Sequence, residues 1–156
     1  MYMRYNTNIK GRKEDYNENN AMIRKNYSQM NNKEIKYLFD RIKSLNINST
    51  RITAHAIEKK LLSLEQIKNN LIKNNFDIID FNYFIDTKEQ RIMIRLKNIY
   101  RIIGKNGREE KCFIKVVISL TDNKIITIWG TKVKDEEERQ RNICTRYTNF
   151  NILSLK

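Results

Sequence analysis

Residues 91–131, RIMIRLKNIYRIIGKNGREEKCFIKVVISLTDNKIITIWGT, carry the pattern that decides the fold. Apolar and polar residues alternate in runs that break at Lys105-Asn106-Gly107 and at Thr121-Asp122-Asn123-Lys124. Successive side chains of a strand point to opposite faces. A period of two filled by β-branched and aromatic residues therefore predicts half-buried strands. Asn-Gly and Asp-Asn pairs tolerate the positive φ of tight turns, so the runs are expected to fold back on one another as an antiparallel meander.

Sorting these strands by side separates two chemistries. Ile92, Ile94, Leu96, Ile114, Val116, Ile118, Leu120, Ile126 and Ile128 form an aliphatic face suited to burial. Arg91, Arg95, Lys115, Ser119, Thr127 and Trp129 fall on the other, and Arg101 joins them if the register allows. A basic sheet face with an aromatic suits RNA, with guanidinium groups on phosphates and a ring stacked on a base. The same residues also fit a solvated outer face on which long side chains shield the sheet.

Upstream, the period changes. Ile35, Leu38, Phe39, Ile42 and Leu45 recur at helical spacing, which predicts an amphipathic helix over 33–46 capped by Asn31 or Asn32. A second helix is expected over 51–61, and a third over 64–74 behind the capping box Ser63-Leu-Glu-Gln66. Residues 76–86 read as the first strand, with Ile79, Phe81, Tyr83 and Ile85 toward the helices. The expected fold is α+β, with N-terminal helices packed on one face of a four- to five-stranded antiparallel meander. It is expected to span residues 32–156 as a single domain. Residues 1–31, rich in Asn, Lys and Tyr, are expected to form a flexible basic arm. After Lys132 comes a charged helical candidate over 135–143. The last apolar residues either add an edge strand or pack back on the core.

Lysine plus arginine number 31 against 18 acidic residues, a formal charge of +13. That excess favours a polyanionic partner, nucleic acid first and an acidic protein or membrane surface behind it. Lysine and asparagine content set by an AT-rich genome is the bland alternative. The 2 cysteines, Cys112 and Cys144, are too few for a disulfide framework, and with 1 histidine they argue against structural zinc. No cofactor is expected. No run approaches the roughly 18 apolar residues of a membrane span, and the N-terminus has no signal-peptide core, so a cytoplasmic protein is expected.

The lone histidine, His55, lies off the Ala54, Ile57 and Leu61 stripe of its expected helix. Imidazole transfers protons near neutral pH, and arginine or lysine can neutralise a phosphate in the transition state. A histidine with several arginines would thus suffice for metal-independent RNA cleavage, although a helical histidine is more often structural or simply exposed.

The segments TAHAIEKKLLSLEQIKNNLIKNNFDIID (53–80), RIMIRLKNIYRI and FIKVVISLTDNKIITIWGT together resemble the domain of unknown function 4258 and related RelE-like and BrnT-like ribonuclease toxin domains. The resemblance covers about residues 50–131. It implies a helices-plus-sheet ribonuclease fold in which His55 is the acid or base and Arg91 or Arg95 binds the scissile phosphate. Thr127 and Thr131 match positions where such domains often carry a polar site residue. Trp129 then offers a stacking surface, and Arg101, Lys115 and Lys132 extend the nucleic-acid contact. RNA is the implied substrate, and an acidic antitoxin or immunity protein the implied partner. A second reading is a non-catalytic phage or mobile-element protein of the same fold that binds nucleic acid or a host protein. A third is a structural interaction domain.

Overall fold

In a computed structural model, residues 22–58, 61–136 and 149–155 are described. The alternating runs form strands β1 (Met22–Asn26), β2 (Arg51–Ile52), β3 (Phe76–Phe84), β4 (Glu89–Ile103), β5 (Glu109–Ser119) and β6 (Lys124–Lys132). The helices are α1 (Asn32–Lys43), α2 (Ala54–Glu58) and α3 (Leu64–Ile72). The strands make a 6-stranded sheet in the order β1-β3-β4-β5-β6-β2. Every pairing is antiparallel except the parallel pairing of β2 with β6.

The fold is therefore α+β, as the pattern indicated, but the sheet exceeds the four or five strands expected. The strands that periodicity missed lie at its edges. β1 falls inside the stretch read as an arm, because Met22-Ile-Arg-Lys-Asn26 shows too little apolar alternation to stand out. Its ladder to β3 and two buried ion pairs compensate for that. Residues 1–21 of that arm lie outside the described residues. β2 occupies the start of the predicted helix 51–61. The backbone N–H of Thr53 donates to the Ile125 carbonyl and its hydroxyl donates to the Ile126 carbonyl, so the chain stays extended to that point. The Thr53 hydroxyl also accepts from the Ala56 N–H, capping α2.

The other helix signals are realised close to their predicted limits. Asn31 and Glu34 form a reciprocal capping box at the start of α1, and Ser63 and Gln66 another at α3. Asn74, at φ 54°, turns the chain after α3 into β3.

Two bulges correct the face assignment. The register shift at Ile78/Asp80 lets Phe76, Ile78 and Phe81 all enter the core, where strict alternation had put Ile79 with Phe81. A second shift in the β5–β6 ladder turns Ile125 rather than Ile126 inward beside Ile128. An inserted residue reverses the phase of everything after it, and a period of two cannot show where that happens. The core lies between the sheet and the helices. Leu38 and Ile42 of α1, Ala56 of α2, and Ile67 and Leu71 of α3 pack on the isoleucines of β4, β5 and β6. Of the tail, residues 133–136 are helical and the rest of the 135–143 candidate lies outside the described residues. The final apolar residues pack back on the core: Ile152 is fully buried in a short 3-10 turn, Ile152–Leu155.

One buried ion pair ties these layers together. Lys25 Nζ of β1 donates to Glu34 Oε1 at 2.9 Å and Oε2 at 2.8 Å, and also to the Phe150 carbonyl. Glu34 further accepts from the backbone N–H of Asn31 at 3.0 Å and of Ile152 at 2.9 Å. Burial alone would push the Glu34 carboxyl up. Its hydrogen bonds from Lys25, Ile152 and Asn31 more than offset that and hold it below the usual glutamate range. A depressed carboxylate stabilises the fold above its unfolded pKa, and that stability is lost as pH falls through the folded pKa.

Glu34→Gln should leave Lys25 buried beside a neutral partner and destabilise the fold by about 3 kcal/mol. In urea denaturation followed across acid pH, the variant should also lose part of the wild-type decline below pH ~4.3. An unchanged midpoint and an unchanged acid limb would show that the pair contributes nothing.

Candidate nucleic-acid interface

The sheet face turned away from α1, α2 and α3 gathers most of the residues singled out in the sequence, and the helical residues 133–136 reach it through Glu136. Register sets Arg95 beside Lys115 and Lys115 beside Trp129, a single row across β4, β5 and β6. Thr131 pairs with Phe113 and Thr127 with Val117, so both threonines flank Trp129 on the same face. Arg91 pairs with Ser119 on this face too, about 13 Å along β4 from Arg95.

Carboxylates already occupy the basic groups of this row. Arg95 Nη1 lies 2.7 Å from Glu136 Oε2, and its Nη2 3.3 Å from Asp77 Oδ2. Lys115 Nζ lies 2.9 Å from the other oxygen of Glu136. The Arg95 guanidinium also sits over the Phe113 ring, 4.9 Å from its centroid. Burial pushes the Glu136 carboxyl up, but Lys115 and then Arg95 more than reverse this and hold it below the ordinary range. Burial also opposes the charge on Arg95, and Glu136 and Asp77 outweigh it, so the guanidinium is held more firmly protonated.

The same pairing recurs along the face. Arg91 Nε donates to Glu89 Oε2 at 2.9 Å while its guanidinium stacks on Phe84. Arg24 and Asp80 form an ion pair at 3.1 Å, with side chains 6% and 2% exposed, and Asn26 donates to the other oxygen of Asp80. Thr131 is buried, and its hydroxyl has no hydrogen-bond partner among the described residues. Trp129 and Thr127 are half-buried.

His55 is not brought to this row. It is exposed on α2, whose Ala56 packs into the core from the helix side. Strands β5 and β6 lie between β4 and β2, the strand that leads into α2. That separation amounts to about 14 Å at ordinary strand spacing. His55 and the arginines therefore do not meet around one phosphate.

Sequence reasoning missed the carboxylates. Asp77 was detectable, because a strand partner for Arg95 had to come from β3. Glu136 lies past the last strand, where no periodicity indicates which way it points. Cys112 is buried in β5, and burial together with Glu110 pushes its thiol up, away from the reactive thiolate. Among the described residues no group of His, Cys, Asp and Glu side chains is placed to hold a metal ion. None of the described helices is long and apolar enough to cross a membrane.

The free cations lie elsewhere. β3 meets β4 only as far as Phe76 opposite Leu96, and β6 meets β5 only as far as Lys132 opposite Cys112. From Arg101 to Lys111 the β4–β5 hairpin is thus a two-stranded ribbon among the described residues. Arg101 pairs with Glu109 at 2.9 Å, and Lys132 contacts Glu110 at 3.5 Å. Lys105, Arg108 and Lys111 are exposed and make no ion pair among the described residues.

The site is thus an ion-paired sheet face continued by an exposed basic ribbon. Compared with known proteins, the chain matches no family model, no curated protein and no solved structure.

Glu136→Gln should cost about 3 kcal/mol of stability, because it leaves Arg95 and Lys115 sharing a buried neutral amide. Guanidinium denaturation measures it. Unchanged stability would mean that the row is open to water and its cations free.

Proposed function

We propose that the protein binds nucleic acid as a non-catalytic basic module. The observation that supports this is how the charge is divided. The buried cations Arg24, Lys25 and Lys115 and the half-buried Arg95 are matched by carboxylates, while half-buried Arg41 is held by the Tyr37 hydroxyl and the Gln90 side chain. Among the described residues, the surplus of positive charge therefore lies mainly on exposed lysines and arginines. A surplus of solvated cations gives sequence-independent affinity for phosphates, with release of their counterions.

RNA is one candidate ligand, as the resemblance to RelE-like and BrnT-like domains suggests. An acidic protein would compete for the same cations. The ribonuclease reaction that goes with that resemblance needs a proton-transfer group near the phosphate-binding arginines. The distance of His55 from Arg91 and Arg95, and the engagement of both arginines by carboxylates, favour binding without cleavage.

Binding to labelled RNA and DNA oligonucleotides, read by fluorescence anisotropy, tests this. Affinity should fall by about 100-fold between 50 and 200 mM salt, the response expected of some four phosphate contacts. His55→Ala should bind as wild type does, and neither protein should cleave RNA in EDTA. Salt-independent binding, or cleavage abolished by His55→Ala, would overturn the proposal.

A further inference from the structure

The tip of the β4–β5 ribbon combines an exposed apolar side chain with solvated cations, a combination that suits a nucleic-acid groove. Ile103, the last residue of β4, is 72% exposed, and Ile99, on the same face, is 51% exposed. Arg101 stands between them. A β-branched side chain held this far into water gains nothing from the fold of its own chain. Around it stand Lys105, Arg108 and Lys111, exposed and without ion pairs among the described residues.

The turn holds this tip firmly. Gly104 N–H donates to the Arg108 carbonyl at 2.9 Å, and Gly107 N–H to the Gly104 carbonyl at 3.0 Å. The Asn106 side chain accepts from the Arg108 N–H at 3.0 Å. Gly107 has φ +77°, a conformation that an L side chain rarely adopts. An apolar residue is therefore presented at a fixed place among these cations, with Glu109 opposite it in the ladder and itself paired with Arg101.

We infer that this ribbon enters the minor groove of duplex DNA, with Ile103 as a wedge against a base step and Lys105, Arg108 and Lys111 on the flanking phosphates. The inference rests on the nucleic-acid reading above and narrows it to one class of ligand. Duplex DNA offers both halves of the match, an apolar stack that a side chain can part and phosphate rows on either side of a narrow groove. The minor groove of duplex RNA is wide and shallow, and its major groove too deep and narrow to be read by side chains, so the same tip finds no wedge position there.

The test uses the full chain with a DNA duplex of about two helical turns carrying a fluorophore at each end, so that anisotropy gives affinity and energy transfer gives bending. The RNA duplex of the same sequence and anionic phospholipid vesicles are run beside it. Wild-type protein should bind and bend the DNA and should bind the RNA duplex more weakly. Ile103→Ala, on an exposed side chain, should fold normally. It should weaken DNA binding about tenfold and remove the bend, without changing the salt dependence. Lys105→Ser with Arg108→Ser should lower the slope of log affinity against log salt by about 1.8. Wild-type bending that survives Ile103→Ala, equal affinity for both duplexes, or a preference for vesicles would overturn the inference. If nucleic acid is bound but the ribbon variants have no effect, only this inference fails. If no nucleic acid is bound, the proposed function fails with it.

Discussion

A lysine and a glutamate almost out of reach of water hold this fold together. Lys25 belongs to an edge strand that could not be recognised by its apolar content, and Glu34 to the first turn of α1. Their contact, joined by the backbone of Phe150 and Ile152, fixes β1, α1 and the C-terminal turn at one point. The apolar layer between sheet and helices supplies the larger driving force, but it does not specify where the edge strand must lie. A buried charge pair does, because each partner is costly to leave alone.

The opposite sheet face follows the same logic. The buried cations on that face, Arg24 and Lys115, and the half-buried Arg95 each have a carboxylate in contact. Asp80 meets Arg24, and Glu136 and Asp77 meet Arg95, with Glu136 also touching Lys115. Among the described residues, the cations left without carboxylate partners lie mainly at exposed positions, the hairpin tip among them. On the proposed nucleic-acid reading, binding falls to the exposed hairpin tip, and the sheet serves as its rigid base.

The helices and the central strands were legible because their signals are local. The cap at Asn31, the capping box at Ser63 and the aliphatic alternation of 92–96 and 114–118 each depend on residues a few positions apart. The features that escaped depend on distant partners. β1 becomes a strand through β3, some fifty residues on, and the bulge beside Asp80 reveals itself only in the ladder to β4. The candidate site suffered most. Grouping Arg91, Arg95, Lys115, Ser119, Thr127 and Trp129 on one face was sound because it follows from the pleat within each strand. Whether those cations are free depends on Glu136 and Asp77, and whether His55 joins them depends on sheet order, which is not written in any local pattern.

The most direct measurement of this account is a nuclear magnetic resonance titration of the isotope-labelled protein with duplex DNA, following backbone amides together with arginine and lysine side chains. The account predicts perturbation concentrated over residues 101–111, while the Arg95 and Lys115 side-chain signals stay in place. Perturbation centred on Arg95, Lys115 and Trp129, with residues 101–111 silent, would contradict it, because the sheet face would then be the binding surface and its ion pairs would be giving way to phosphate.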